Sequence, residues 1–203
     1  MKLSLPAGNS KMGNVLHVNL PPNKICMGKP CYIKGCYAHK AYRTYPNVRK
    51  AWDENWKLLM TDRDRFFIEI IDAIKKKKPE IFRWHSAGDI PDSSYLRRMF
   101  AIAHTFPGTK FMAFTKQYDI VDTTINRRSS FWRPENMTII VSAWPRLELP
   151  MRLRRRFPVA WMHDPLDPDT RIPKKATPCS GKCSSCLLCW GLRKGQSVVF
   201  EKH

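Results

Sequence analysis

Residues 80–116, EIFRWHSAGDIPDSSYLRRMFAIAHTFPGTKFMAFTK, decide how this chain folds. EIFRWH (80–85) has the composition of a strand, and SAGD (86–89) supplies the small, turn-forming residues that stop it. From Pro91 to His104, the residues Leu96, Met99, Phe100 and Ala103 make one helical face behind Asp92 or Ser93 as cap. Pro107-Gly108 turns the chain, and KFMAFT (110–115) is a second strand. Strands separated by helices build parallel sheets.

The pattern extends both ways. NVLHVNL (14–20) alternates as a strand and stops at Pro21-Pro22. Ala38 to Tyr45 begins a helix that Pro46 interrupts. Val48 to Met60 carries Trp52, Trp56 and Leu59 at helical spacing. Thr61 followed by Asp64 resembles a capping box, and the next helix lines up Phe66, Ile70 and Ile74 before Pro79 stops it. Residues 117–127 read as a weak helix, NMTIIVSA (136–143) and FPVAWM (157–162) as strands, and QSVVFEKH (196–203) as an edge strand. The expected fold is α/β: parallel strands with outer helices, open or curled into a partial (β/α) barrel-like sheet, with a C-terminal Cys-rich segment. The expected organisation is a core over residues 1–173, with residues 174–203 packed on it. Residues 164–178 hold four prolines and three aspartates and read as a linker or wrapping loop.

At 203 residues and 43% apolar content, the chain can bury the core of one domain. The 36 Lys plus Arg against 17 Asp plus Glu give a net charge of +19. Such an excess attracts polyanions, so nucleic acid, a nucleotide or another polyanion is the expected partner. Two basic runs stand out, Lys75 to Lys78 and Arg152 to Arg156. The lysines equally suit a helix end, where cations meet the negative end of the dipole. The start, MKLSLPAGNSKMG, has no apolar core, and no run of eighteen apolar residues occurs. The expectation is a cytoplasmic protein with no membrane association. Neither a Gly-x-Ser-x-Gly elbow nor a P-loop is present.

The cysteines form two tight groups. CMGKPCYIKGC holds Cys26, Cys31 and Cys36, and CSGKCSSCLLC holds Cys179, Cys183, Cys186 and Cys189. Seven is odd, and thiols stay reduced in a cytosol, so metal ligation is preferred to disulfides. Thiolate is the soft donor that zinc and iron–sulfur clusters both select. Structural zinc sites use two short pairs separated by a longer loop. Four ligands within eleven residues instead resemble the runs that wrap cubane clusters. The preferred division is an open three-cysteine 4Fe-4S cluster plus a closed four-cysteine centre. One four-cysteine site drawn from both ends is the alternative, as is zinc at the C-terminal group. His39 flanks the first group as a further candidate ligand or a surface histidine.

Ligands of parallel α/β folds bind at the carboxyl ends of the strands. Those ends carry His85, Ser86 and Asp89, then Thr115 and Lys116, then Ser142 and Trp144, then His163 and Asp164. Asp89 has two readings, a ligand carboxylate or a cap of the following helix. Lys116 suits a phosphate or carboxylate, or plain solvent.

HSAGDIPD (85–92), after a strand and a cysteine loop, resembles the turn of radical S-adenosylmethionine enzymes that receives the cofactor's amino group. That resemblance implies an open cluster on Cys26, Cys31 and Cys36, and S-adenosylmethionine on Gly88 and Asp89, with Ser86 and Lys116 at the same site. The cysteine spacing, four residues in each gap, differs from that family's usual three and two. CYIKGCYAHKAYR, the stretch FRWHSAGD to FTK, and CSGKCSSCLLCW together resemble the bacteriophage gene product 88 family. This second resemblance implies a phage or prophage origin, a bacterial host cytoplasm, and a metal-binding, radical-enzyme-related fold. Three functions are expected in turn: a radical-type iron–sulfur enzyme acting on nucleic acid or nucleotide, a non-catalytic metal-stabilised nucleic-acid-binding protein, or an electron-transfer module.

Overall fold

The computed structural model describes residues 2–6, 11–33, 35–125, 133–167 and 172–201. In chain order come β1 (Leu16–Val18), α1 (Pro22–Ile25), α2 (Pro30–Ile33), α3 (Tyr37–Thr44), α4 (Pro46–Thr61) and α5 (Arg63–Lys77). Then come β2 (Ile81–Trp84), α6 (Ser93–Thr105), β3 (Lys110–Thr115), α7 (Tyr118–Thr124), β4 (Met137–Ala143), α8 (Met151–Arg154) and β5 (Val159–His163). The chain ends with β6 (Thr177–Pro178), α9 (Cys183–Cys186), α10 (Leu188–Gly191) and β7 (Ser197–Glu201).

The strands form one seven-stranded sheet in the order β1-β2-β3-β4-β5-β7-β6, and every neighbouring pair is parallel. The sheet is open and does not close into a barrel. QSVVFEKH is not an edge: β7 lies between β5 and the two-residue β6, which takes the edge. The reason is that the loop before the cysteines returns to the sheet and adds Thr177 and Pro178 outside β7. Lys202 and His203, and the 168–171 part of the presumed linker, lie outside the described residues, as do residues 126 and 127 of the expected helix.

Side chains alternate between the two faces of each strand. One register row runs Leu16, Phe82, Phe111 and Met137. These belong to the main core, where Phe66, Phe67 and Ile70 of α5 and Leu96, Met99 and Phe100 of α6 meet the sheet. The adjacent row, His17, Arg83, Met112 and Thr138, faces the other way. On that face Met112, Ile140, Ala160 and Val198 pack with Met12, Trp190 and Leu192. Helices α5 and α6 thus cover one face, and the two cysteine-bearing segments, with their short helices, approach the other.

Caps explain the helix ends. Asp62, not Thr61, caps α5 by accepting from the Arg65 amide at 3.0 Å; Thr61 closes α4. Asp92 caps α6 by accepting from the Tyr95 amide at 2.8 Å. Pro46 ends α3 by opening α4, where its missing amide hydrogen is not needed. Among the described residues, no helix is long and apolar enough to cross a membrane.

Candidate functional site

A cavity of about 540 Å³ lies on the face opposite the helices, and all seven cysteines line it. Its floor is the inner face of the sheet, with Arg83, Met112, Phe114 and Ala160. Its rim carries the strand ends singled out from sequence: His85, Ser86, Gly88, Asp89, Thr115, Lys116, Ser142 and Trp144. His163 does not join them; it pairs with Glu201 at 3.1 Å. Asp164 lines a separate, smaller cavity.

The first cysteine group is built from short helices. Cys26 closes α1 through its amide to the Pro22 carbonyl at 2.9 Å, Cys31 lies buried in α2, and Cys36 precedes α3. Burial pushes the Cys26 and Cys31 thiols upward; Asp89 and neighbouring thiols push the same way, and the Lys116 charge opposes them. The thiols of this loop therefore sense one another and the β2–β3 strand ends. The Tyr37 hydroxyl donates to the Ser86 carbonyl, and Lys29 Nζ donates to the Lys116 carbonyl at 3.3 Å, so the loop is tied to both strands. His39 instead stacks on Tyr32, ring centroids 4.4 Å apart, and is not part of the cavity wall.

The second group wraps α9 and α10, joined by Leu187 in the left-handed conformation. Burial, then the neighbouring Cys179 and Cys183, raise the Cys189 thiol to about 12, with Arg83 opposing. The Gly181 amide donates to Cys179 Sγ at 3.4 Å. The segment is anchored by the Cys183 amide on the Lys11 carbonyl at 2.8 Å and by the Trp190 indole on the Phe82 carbonyl at 2.9 Å. Gly13 permits this docking, because a Cβ there would stand 2.7 Å from Ser184 Oγ. All seven thiols are free. Among the described residues, no three Cys, His, Asp or Glu side chains converge closely enough to hold a metal ion.

The turn of residues 86–89 is largely engaged with the protein itself. Asn19 Oδ1 accepts from the Ser86 amide at 2.9 Å, the Ser86 hydroxyl at 2.8 Å and the Ala87 amide at 3.0 Å. Gly88 has φ +82°, and a Cβ on it would meet the Leu20 carbonyl oxygen at 2.6 Å. Asp89 does not cap α6; its Oδ1 accepts from Thr115 Oγ1 at 2.6 Å and the Ile90 amide at 2.7 Å, and its Oδ2 from the Lys116 amide at 2.8 Å. Burial raises the Asp89 carboxyl, and these donors oppose that. Lys116 Nζ lies 5.3 Å from the centre of the Trp144 ring, at the cavity wall.

Arg83 and Asn19 were not anticipated as site residues. Arg83 was legible in principle, since alternation along IFRW sets it opposite Phe82 and Trp84. Asn19 gave no local signal, because its partners lie 67 or more positions away. The basic runs do not gather at the cavity. Lys75, Lys76 and Lys77 fill the last turn of α5. Arg152 pairs with Asp122 at 2.7 Å, and Arg154 lies over the Trp161 ring at 5.3 Å.

A family model described as Gene product 88 matches residues 2–191. The Gene 88 protein of Mycobacterium phage D29 is 28% identical over 121 residues, covering 54% of this chain and 50% of that protein. The Gene 88 protein of Mycobacterium phage L5 is 26% identical over 121 residues, covering 54% and 51%. The chain thus spans about half the length of the curated relatives it matches. No solved structure gives a significant match.

Proposed function

Because the chain belongs to the gene product 88 family, we propose that it is a phage metalloprotein whose two cysteine groups hold iron–sulfur centres. One observation carries the reading: seven free cysteines from two distant segments line a single cavity at the carboxyl edge of a parallel sheet. The donor chemistry fits, since a purely thiol donor set selects zinc or iron–sulfur. Cys26, Cys31 and Cys36 would supply three ligands once their thiols draw closer together than they stand here. Cys179, Cys183, Cys186 and Cys189 supply a complete set. The raised Cys26, Cys31 and Cys189 thiols must shed protons on metal binding, which makes loading pH-dependent.

An iron–sulfur cluster held by Cys26, Cys31 and Cys36 would supply one-electron chemistry there, with S-adenosylmethionine as the candidate ligand. Asp89, with both oxygens engaged, holds the turn and the Lys116 backbone in place. The bacterial cytoplasm, where thiols stay reduced, is the compartment proposed. The net charge of +19 favours a second reading, a metal-stapled nucleic-acid-binding protein without catalysis.

The test is oxygen-free purification followed by analysis of iron, acid-labile sulfide and zinc. The expected result is iron and sulfide in equal amounts, about four or about eight per chain for one or two cubanes. Zinc without sulfide removes the iron–sulfur reading and leaves the second. A folded protein that takes up neither metal overturns both.

A further inference from the structure

Arg83 is a buried cation that no described carboxylate pairs with. Its residue is 8% exposed on the cavity floor, on the face of β2 away from the helices. Its Nη1 donates to Met12 Sδ at 3.0 Å, and its guanidinium lies 5.2 Å from the centre of the Phe114 ring. A thioether is a weak acceptor, and Nε has no partner at all. Among the described residues no carboxylate forms an ion pair with it. Arginine stays protonated in proteins, so the charge cannot be shed. A buried charge left without its partner is costly.

Among the described residues no carboxylate on the cavity wall supplies that partner. The two carboxylates on the cavity wall are engaged elsewhere, Asp89 with Thr115 and two amides and Glu201 with His163. The wall adds cations, Lys29, Lys116 and Lys182. The volume of about 540 Å³ is that of a small-molecule site.

Resting on the cavity being a ligand site, but not on which metal the cysteines hold, we propose that Arg83 anchors one oxyanion of a small ligand. That group is a carboxylate or phosphate, taken bidentately by the guanidinium fork, on a molecule whose apolar body lies against Met112 and Phe114. The oxyanion forms a charge-assisted pair with the guanidinium in place of the Met12 contact.

Two probes separate the sources of the oxyanion: adenosine 5′-monophosphate for phosphate and N-acetylmethionine for carboxylate. Each is titrated calorimetrically into the protein as purified, with metal content measured on the same sample. One probe is expected to bind, and Arg83→Met to weaken it at least tenfold while circular dichroism and metal content stay unchanged. Arg83→Lys keeps a cation in place and is expected to retain part of the affinity, so the proposal stays testable if Arg83→Met does not fold. Failure of both probes overturns it, as does binding that ignores both substitutions. Loss of metal in proportion to loss of binding also overturns it, because Arg83 then serves the cysteine centre instead. Absence of iron with intact Arg83-dependent binding sinks the iron–sulfur reading and leaves this one standing.

Discussion

Gly88 and its neighbours are held in place by contacts within the chain. Two costs fall on a side chain at Gly88, the left-handed backbone and the 2.6 Å approach to Leu20. Gly28 shares the first, with φ +81°, but has nothing within 4 Å. Gly28→Ala is therefore expected to cost about 1 kcal/mol, and Gly88→Ala about 3 kcal/mol or more, read from urea denaturation. Equal losses would mean that the close approach relaxes freely. His85, three residues back along the rim, has φ 57°, and both its ring nitrogens are buried without partners. Burial, with Arg83 repelling the charged form, lowers it to about 3. The unfolded chain then takes up the proton first as pH falls below its ordinary value, so stability is full above about pH 6.5 and drains away toward pH 3. Wild type is expected to lose about 2 kcal/mol between pH 8 and pH 5 from this group. Buried His17, lowered by burial and by Arg83 despite its bond to Val15, adds in the same direction. His85→Phe is expected to flatten the slope by about one proton; an unchanged slope would remove His85 from the account.

At the scale of elements, the cap of α6 is also a joint. Asp92 accepts from the Tyr95 amide and from both Arg63 Nη atoms, at 3.1 and 2.8 Å, so it stops one helix and ties it to the start of another. Asp92→Ala is expected to cost about 2 kcal/mol, a cap plus a half-exposed ion pair, whereas Arg63→Ala costs about 1 kcal/mol or less. Similar losses from both would show that the ion pair, not the cap, carries the joint. The arginine run of α8 is used in a comparable way. Arg152 and Arg156 both pair with Asp122 on α7, at 2.7 and 3.7 Å. Asp122→Ala is thus expected to loosen α8 and to raise affinity for a nonspecific DNA duplex at low salt, an effect that disappears at high salt. No change in affinity would place any nucleic-acid surface away from α8.

The whole molecule is clasped by its ends. The N-terminal segment reaches the cysteine-bearing C-terminal one through Lys11 and Gly13, and Trp190 plugs the cavity face of the sheet. Trp190→Ala leaves a hole in that face and removes a buried hydrogen bond, an expected loss of about 4 kcal/mol. If metal joins the thiols, chelation should lower the melting temperature of wild type and speed proteolysis of both cysteine segments together. Cleavage of one segment alone would separate the two groups into independent centres.

The sequence by itself determined the α/β class, the order of the longer helices and of every strand but β6, and the grouping of chemistry at strand ends. These are local properties: period-2 and period-3.6 patterning, prolines that stop helices and small residues that turn. It also determined the family, whose model matches residues 2–191. Only the tertiary structure decided that the sheet stays open, that β7 is interior, that both cysteine groups share one cavity, and that Arg83 lies unpaired beneath them. It likewise decided that Asp89 bonds to Thr115, 26 positions on, instead of capping its own helix. The physical reason is range. A hydrogen bond or ion pair between distant segments leaves no periodic trace in either, and exists only once the sheet has brought them together.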